Sequence, residues 1–283
     1  GINLIDTSPY YGNSEQVIGL CLKQLASKYP RHSYFISTKV GRYGAKHFDY
    51  SRETVRNSVL TSLKRLNTGY LDFVYCHDVE FVEEKLVIDS ALKELFLLKE
   101  EGFIHNVGIS GYPLKALENI AKKCNERNSS LDCLLTYCHY TIQNSQLIDQ
   151  QYITKFQRYN IRYLFNASPL SMGLLSGYQP PEWHPASENL KNAAVKCKNI
   201  CNENSFQLPQ LALAYSLNCP SESICSTIIG CISTEQIKES MNTLKLVQDG
   251  FYNQEKYYKI IEQCKKEFGD EYNHAWPSPP LDY

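Results

Sequence analysis

Four polar side chains near the start of the chain could together transfer a proton. Asp6, Lys39 and His77 each end a short apolar run, and Tyr11 follows Asp6 by five residues. A phenol with its usual pKa of about 10 transfers protons poorly at neutral pH unless its phenolate is stabilised. A neighbouring ammonium supplies that stabilisation, a carboxylate holds the ammonium, and an imidazole hydrogen-bonds a substrate oxygen. The four residue types therefore indicate proton transfer for a carbonyl and alcohol pair.

Each of the four also has an ordinary structural interpretation. Asp6 could brace a loop, and Lys39 could be a solvated strand end. His77 could be a satisfied buried histidine, and Tyr11 could pack beside Tyr10. Their placement at successive strand ends favours the functional interpretation, because the carboxyl ends of the strands of an α/β barrel meet at one mouth.

Short apolar runs alternate along the chain with longer segments of helical spacing. Runs without strict alternation are typical of strands buried on both faces of a parallel sheet. The predicted strands are Ile2–Thr7, Tyr34–Val40, Leu71–His77, Asn106–Ser110, Cys133–His139, Arg162–Ser168 and Thr227–Gly230. The predicted helices are a segment capped by Ser14, Arg52–Leu66 preceded by Ser51, Lys85–Glu101, Pro113–Arg127, Ser187–Glu203 and Thr234–Val247.

Repeated strand–helix pairs require right-handed crossovers and place the chain in the α/β class. An open doubly wound sheet is the alternative, but no Gly-rich dinucleotide fingerprint is present, which favours a (β/α)8 TIM barrel. Because seven strands can be counted, we expect the first strand–helix pair of the barrel to be missing from this chain. We predict one barrel domain over residues 1–283, with an irregular stretch at 169–186 and a C-terminal helix and tail at about 253–283.

Three segments carry the four polar residues, namely Ile5–Gly12, Ser37–Lys39 and Leu71–His77. They resemble the signature segments of the aldo-keto reductases, a family of (β/α)8 barrels that catalyse NAD(P)-dependent oxidoreduction with an Asp/Tyr/Lys/His tetrad. The resemblance implies that Tyr11 is the general acid and base and that Lys39 lowers its pKa. It also implies that Asp6 holds Lys39 and that His77 orients the substrate oxygen.

Further segments resemble the branch of this family that oxidises aldoses at C1, the L-galactose and fungal D-arabinose dehydrogenases. The segments are Gly108–Pro113, Tyr137–Tyr140, Asn166–Leu170 and Pro180–Pro185. The resemblance implies oxidation of an aldose to its lactone, in an ascorbate or erythroascorbate type of pathway. D-arabinose is the expected substrate, and L-galactose and L-fucose are alternatives.

The same resemblance implies cofactor-binding positions. It places Ser110 near the nicotinamide carboxamide and Ser168 and Leu170 near the pyrophosphate, and it includes Tyr137 among the cofactor-binding residues. Many members of the family stack a tyrosine on the nicotinamide just before the Ser-Pro-Leu segment. This chain has Ala167 at that position.

The segment after the last predicted strand favours NAD. NADP-preferring members of the family carry Lys and Arg there, whereas Gly230–Gln236 contains no positive charge and would oppose a 2′-phosphate with Glu235. Ser233 and Thr234 can still present hydroxyls and helix N-terminal amides to a phosphate. A general NADPH aldehyde reductase is therefore the less favoured alternative.

Two aromatic side chains in the irregular stretch could contact the sugar. Trp183 offers an apolar face to C–H bonds, and His184 is its neighbour, so both are candidate substrate residues. Packing of this pair against the barrel rim is an equally acceptable interpretation.

Composition excludes several classes of protein. The net charge of −1 over 283 residues argues against a nucleic-acid partner, and no apolar run approaches the roughly 20 residues of a membrane span. Eleven cysteines without paired or zinc-ligand spacing predict a reducing, cytoplasmic compartment and no metal site.

We expect a small-molecule sugar as the only partner and a monomer or weak dimer. The chain starts with Gly1, and we expect it to begin part-way through a gene product. A non-catalytic, cofactor-binding regulatory subunit stays open, because fold does not fix function.

Overall fold

The computed structural model describes residues 2–180 and 182–279. Pro181 of the irregular stretch and the last four residues of the predicted tail lie outside the described residues. The chain divides into two compact units. The N-terminal unit comprises Gly1–Leu135 and Thr154–Leu164, and the C-terminal unit comprises Thr136–Ile153 and Phe165–Tyr283.

Seven strands are present in the described residues, and they follow one another in the sheet in chain order. They are β1 (Leu4–Asp6), β2 (Phe35–Val40), β3 (Leu71–Cys76), β4 (Ile104–Gly111), β5 (Cys133–Tyr137), β6 (Tyr163–Ala167) and β7 (Ile224–Ile228). β1 to β4 pair in parallel, as strand–helix crossovers require. The seven predicted strands are confirmed, although β7 begins three residues before its predicted start at Thr227.

Helices separate successive strands over most of the described chain. They are α1 (Ser14–Leu25), α2 (Arg52–Arg65), α3 (Glu84–Leu86), α4 (Lys93–Glu100), α5 (Leu114–Glu126), α6 (Gln146–Asp149), α7 (Tyr152–Arg158), α8 (Glu188–Glu203), α9 (Leu208–Leu217), α10 (Thr234–Gln248) and α11 (Glu255–Phe268). No helix in these parts of the chain is long and apolar enough to cross a membrane.

The apolar stripe predicted for α2 forms the inner face of that helix. Val55, Val59 and Leu63 recur at the spacing of one helix face, and all three are buried. Through this face α2 packs against β2 and α4. Burial of one such side chain contributes about 1.5–3 kcal/mol relative to exposure. This stripe therefore holds α2 against the strand that carries Lys39.

Two local predictions were wrong in detail. Ser14 does not cap α1, because Asn13 occupies the cap position and Ser14 is the first helical residue, with its hydroxyl oxygen accepting from Thr7 Oγ1 at 2.8 Å. The helix predicted over Lys85–Glu101 is interrupted by a π-helical turn at Val87–Leu92. That turn buries Val87, Ile88, Ala91 and Leu92.

The C-terminal unit has its own apolar core, formed by α8, α9 and α11. Ser187 caps α8 by accepting the Leu190 N–H at 3.1 Å. α9 was not predicted. Leu211, Ala212, Leu213 and Ala214 are consecutive and all buried, so the segment lacks the one-sided apolar period by which helices are recognised.

Candidate active site

The register of β1 and β2 places Asp6 beside Lys39. Asp6 is the last residue of β1 and pairs with Ser37 of β2, and Lys39 follows Ser37 by two residues and so shares its face. The Lys39 ammonium donates to Asp6 Oδ2 at 2.7 Å and to the Thr7 carbonyl at 2.9 Å. Ser37 Oγ donates to the other carboxylate oxygen, Oδ1. The buried ammonium is therefore held by two acceptors in a fixed position.

Lys39 keeps its charge although its side chain is only 3% exposed. Burial disfavours the ammonium, but the Asp6 carboxylate and the Tyr11 phenol outweigh this effect and raise the pKa of Lys39 above its usual value. The site thus contains a permanent cation at neutral pH.

Tyr11 lies in the turn after β1, beneath that cation. The Lys39 Nζ is 4.8 Å from the centre of the Tyr11 ring. Although the residue is 45% exposed, desolvation is the largest influence on its phenol and raises the pKa. Lys39 lowers the pKa, as expected, while the Asp6 and Asp78 carboxylates raise it further. The net pKa of Tyr11 is raised from 10, so the phenol is protonated at neutral pH.

His77 follows β3 and is uncharged. Its ring is 5.8 Å from the Tyr11 ring and nearly perpendicular to it, at 85°. Burial lowers the pKa of the imidazole to about 4. The Asp78 carboxylate opposes the decrease, whereas the Lys39 and Arg42 cations reinforce it. A neutral imidazole beside a phenol can donate a hydrogen bond to an oxygen that the phenol protonates or deprotonates.

The structure therefore brings the four predicted catalytic side chains together in the N-terminal unit. The site it builds consists of a charged ammonium, a protonated phenol and a neutral imidazole, with a carboxylate anchoring the ammonium. Ser110 lies in the same unit at the carboxyl end of β4, where its buried hydroxyl donates to the Cys76 carbonyl at 3.4 Å.

Three of the other predicted cofactor residues lie at strand ends of the C-terminal unit. Tyr137 is the last residue of β5, and Ser168 directly follows β6. Ser168 has a left-handed φ of 58°, and its hydroxyl oxygen accepts the Met172 N–H at 2.9 Å. Leu170 packs against the apolar core of this unit.

Ser233 and Thr234 lie at the N-terminus of α10 in the same unit. Ser233 caps the helix by accepting the Gln236 N–H at 3.2 Å. Thr234 Oγ1 donates to Glu235 Oε1 at 2.9 Å. Hydrogen bonds from its own amide and from the Thr234 and Ser233 hydroxyls lower the pKa of Glu235. A carboxylate therefore folds back onto the donors at this helix end.

The two predicted substrate residues differ in their surroundings. Trp183 is 67% exposed, whereas His184 is buried. The His184 Nδ1 accepts the Ala186 N–H at 3.1 Å, so the ring proton lies on Nε2 and is donated to the Ser171 carbonyl at 2.9 Å. The Trp276 ring lies edge-on to His184 at 5.1 Å. These contacts fit the packing alternative for His184, and a substrate role for either residue stays a prediction.

Three residues near the tetrad were not predicted. Ser8, Arg42 and Asp78 each contact His77 or the groups around it. All three follow the carboxyl end of one of the first three strands, so the rule that selected Lys39 and His77 also applies to them. Within the described ranges, no group of three or more His, Cys, Asp or Glu side chains could hold a metal ion.

Comparison with known proteins agrees with this architecture. The model of the aldo/keto reductase family matches residues 1–258. The chain belongs to the aldo/keto reductase family, whose members are oxidoreductases that use nicotinamide cofactors. The resemblance and the α/β-barrel class predicted from the sequence are therefore confirmed.

Two relatives and one solved structure are similar over most of the chain. The D-arabinose 1-dehydrogenase of Saccharomyces cerevisiae is 40% identical, over 98% of this chain and 84% of its own length. The L-galactose dehydrogenase of Arabidopsis thaliana is 36% identical, over 98% of this chain and 83% of its own length. An aldo-keto reductase from Bacillus halodurans, solved in its holo form, aligns with a TM-score of 0.67 at 23% identity, over 93% of this chain and 83% of that chain. The last comparison shows the fold alone.

Proposed function

We propose that this protein oxidises an aldose at C1 to its lactone with NAD, and that D-arabinose is the preferred aldose. The observation that carries the proposal is the buried Lys39–Asp6 pair, with the Lys39 ammonium over the Tyr11 ring and neutral His77 beside that ring. The similarity to a D-arabinose 1-dehydrogenase and an L-galactose dehydrogenase supports the substrate class. L-galactose is the second candidate substrate.

Tyr11 takes the proton of the anomeric hydroxyl in this reaction. The proton moves from the sugar oxygen to the phenolate of Tyr11, while the C1 hydrogen leaves with its electron pair. The Lys39 ammonium stabilises the phenolate, and Asp6 keeps that ammonium in place. In the reverse direction the protonated phenol is the acid, which is its state at neutral pH.

His77 orients the sugar oxygen. Because the imidazole is neutral and buried, it donates one hydrogen bond and does not compete with Tyr11 for the proton. The bound cofactor supplies the acceptor for the hydride. Tyr11 and His77 hold the sugar oxygen, which fixes the position of the neighbouring C1–H bond.

The cofactor residues implied by the family resemblance form the next part of the proposal. We assign Ser110 to the carboxamide, Ser168 and Leu170 to the pyrophosphate, and Tyr137 to the same cofactor. The left-handed backbone at Ser168 suits a close approach of phosphate oxygens.

The N-terminus of α10 supports NAD over NADP. Ser233 and Thr234 are assigned to the adenosine end of the cofactor. The Glu235 carboxylate that bonds their hydroxyls can accept from a ribose 2′-hydroxyl and repels a 2′-phosphate. Trp183 and His184 are assigned to the sugar side.

Further parts of the proposal concern the protein in the cell. The near-neutral charge and eleven cysteines, all free thiols in the described residues, fit a cytoplasmic monomer or weak dimer. We also infer that residues 1–283 act as one catalytic domain.

The test is the absorbance of reduced nicotinamide in four assays, with D-arabinose or L-galactose and with NAD or NADP. The proposal predicts the largest kcat/KM with D-arabinose and NAD. A larger kcat/KM with L-galactose reassigns the substrate, and one with NADP reassigns the cofactor. No turnover by folded protein in any assay contradicts the proposal as a whole.

A further inference from the structure

An ion pair lies directly beside His77. Arg42 Nη1 donates to Asp78 Oδ2, and the same carboxylate oxygen is 3.5 Å from His77 Nε2. The side chains of Arg42 and Asp78 are 15% and 5% exposed, so this is not a solvated surface pair. Asp78 has a left-handed φ of 52°, a conformation that few non-glycine residues adopt. The backbone therefore accepts strain to keep this carboxylate beside the imidazole.

The Arg42 guanidinium is fixed by aromatic rings from three loops. Its central carbon is 4.3 Å from the Tyr10 ring and 5.2 Å from the rings of both Phe48 and Phe81. Phe48 and Phe81 stack on each other at 5.1 Å. Tyr10, Phe48 and Phe81 follow β1, β2 and β3 respectively. Arg42 therefore contacts the loops that follow the three strands of the tetrad.

The neighbours of His77 also determine where its single ring proton lies. Ser8 Oγ accepts the Tyr10 N–H at 3.1 Å and lies 3.3 Å from His77 Nδ1. The Ser8 hydroxyl can donate to Nδ1, which then carries no proton. The proton lies on Nε2, which faces the Asp78 carboxylate, an acceptor only. Because the Ser8 hydroxyl can either donate to Nδ1 or accept from it, the Asp78 carboxylate is the neighbour that selects the tautomer with its proton on Nε2.

We propose that Arg42 and Asp78 are positioning residues for His77, in which Asp78 holds the ring proton on Nε2 and Arg42 offsets the carboxylate's charge so that the ring stays neutral. The inference rests on the proposed function, in which His77 donates its Nε2 proton to the sugar oxygen when sugar is bound, while Asp78, 3.5 Å away, keeps the proton on that nitrogen by its charge. The groups that face His77 are Lys39 and Asp6 on the strands and Ser8, Tyr10, Tyr11, Arg42 and Asp78 on the loops.

The two halves of the pair act on His77 in opposite directions. Loss of the Arg42 cation leaves the Asp78 carboxylate uncompensated, which favours the charged imidazole and raises its pKa from about 4. Loss of the Asp78 charge removes that attraction and favours the neutral ring. Residues that merely brace the loops would not produce opposite effects.

The experiment follows the imidazole nitrogens of ¹⁵N-histidine-labelled protein by long-range ¹H–¹⁵N NMR between pH 5 and 8. The His77 signal is assigned by its absence in His77→Gln. Wild-type His77 is expected to stay neutral with its proton on Nε2 down to pH 5. Arg42→Leu is expected to shift the titration midpoint upward by about one unit or more. Asp78→Asn is expected to stay neutral at pH 5 and to show a mixture of both tautomers.

Matched variants separate the charge effect from loss of structure. Arg31 and Asp72 form another largely buried pair in the same unit, with side chains 21% and 8% exposed. Arg31→Leu and Asp72→Asn are expected to leave the His77 signals unchanged. Arg42→Lys keeps the charge and is expected to keep the wild-type midpoint, which provides a test even if Arg42→Leu does not fold.

The proposal is overturned if Asp78→Asn keeps the wild-type tautomer. It is overturned as well if Arg42→Leu and the control variants shift the titration midpoint of His77 by the same amount. It is also overturned if Arg42→Lys shifts the midpoint. A protein that turns over no sugar but shows the upward shift in Arg42→Leu and the tautomer mixture in Asp78→Asn retains the positioning pair and loses the proposed function. A protein that oxidises sugar without these shifts keeps the function and loses the pair.

Discussion

At the scale of single residues, the site depends on one buried cation. Burial alone would lower the pKa of Lys39, but Asp6 and Tyr11 hold it above the usual value. The same desolvation raises the pKa of Tyr11, and Lys39 only partly opposes it. The resting site is therefore set up with a protonated phenol, ready to act as an acid and in need of deprotonation before it acts as a base.

This protonation state predicts the pH dependence of the two directions. Sugar oxidation needs the phenolate, and the pKa of Tyr11 lies above 10, so kcat/KM for oxidation is expected to rise up to about tenfold per unit between pH 7 and 10. The reverse reaction, reduction of the lactone, needs the phenol and is expected to be flat over the same range. Measured kcat/KM profiles in both directions check this. An oxidation rate that does not change from pH 7 to 10 would contradict the assignment of Tyr11.

A second prediction at this scale concerns cofactor choice. Glu235→Arg replaces the carboxylate at the N-terminus of α10 by a cation that can pair with a 2′-phosphate. The ratio of kcat/KM for NADP to that for NAD is expected to increase by about tenfold or more. Glu239→Arg, one turn further along the same exposed helix face, is the control and should leave the ratio unchanged. Equal ratios in the two variants would remove α10 from the cofactor site.

The four tetrad residues could be predicted because each follows or ends an apolar strand. The carboxyl ends of the same strands are also followed by Ser8, Arg42 and Asp78. The sequence does not distinguish these three as site residues, because an Asp, an Arg or a Ser in a loop is ordinary. Their closeness to His77 depends on the exact loop path, including the left-handed backbone of Asp78. Sequence spacing does not contain that information.

At the scale of elements, the spacing of apolar residues in the sequence predicts a helix well where one face of that helix is apolar. α2 and α8 begin after Ser51 and Ser187, and α2 buries its predicted stripe. α9 has no polar face and was missed, and the π-turn at Val87–Leu92 could not be foreseen because it changes the period within a helix.

The two serine caps provide a test at this scale. Ser187 Oγ accepts the Leu190 N–H at 3.1 Å, whereas Ser51 makes no side-chain capping bond. Ser187→Ala is therefore expected to decrease the free energy of unfolding by about 1 kcal/mol. Ser51→Ala, its control, is expected to change it by less than about 0.5 kcal/mol. Urea unfolding measures both values, and an equal loss in the two variants would show that the cap bond is not the cause.

At the scale of the whole molecule, buried neutral histidines couple stability to pH. Burial lowers the pKa of His77 and of His139 to about 4, one in each unit. In the unfolded chain the pKa of both imidazoles returns to its ordinary value of about 6.5. The unfolded state therefore binds more protons between these values, and stability falls as the pH decreases from about 6.5 to 4.

The expected loss is up to about 3 kcal/mol for each histidine over that interval. His139→Gln is expected to make the decrease in stability with acid shallower. His274→Gln, at an exposed histidine, is the control and should leave the slope unchanged. Unfolding curves at pH 7, 6 and 5 measure the slopes. A His139→Gln slope as steep as that of wild type would contradict the coupling.

The central claim is that Tyr11 transfers the proton, and one pair of variants tests it most directly. Tyr29 matches Tyr11 closely, because it is 46% exposed and has the Lys28 ammonium 5.2 Å from its ring centre. Tyr11→Phe is expected to decrease kcat for D-arabinose oxidation by about 10²-fold or more, since one general acid–base group contributes 10²–10⁴-fold. Tyr29→Phe is expected to retain wild-type kcat. A Tyr11→Phe enzyme that turns over sugar as fast as Tyr29→Phe would contradict the account.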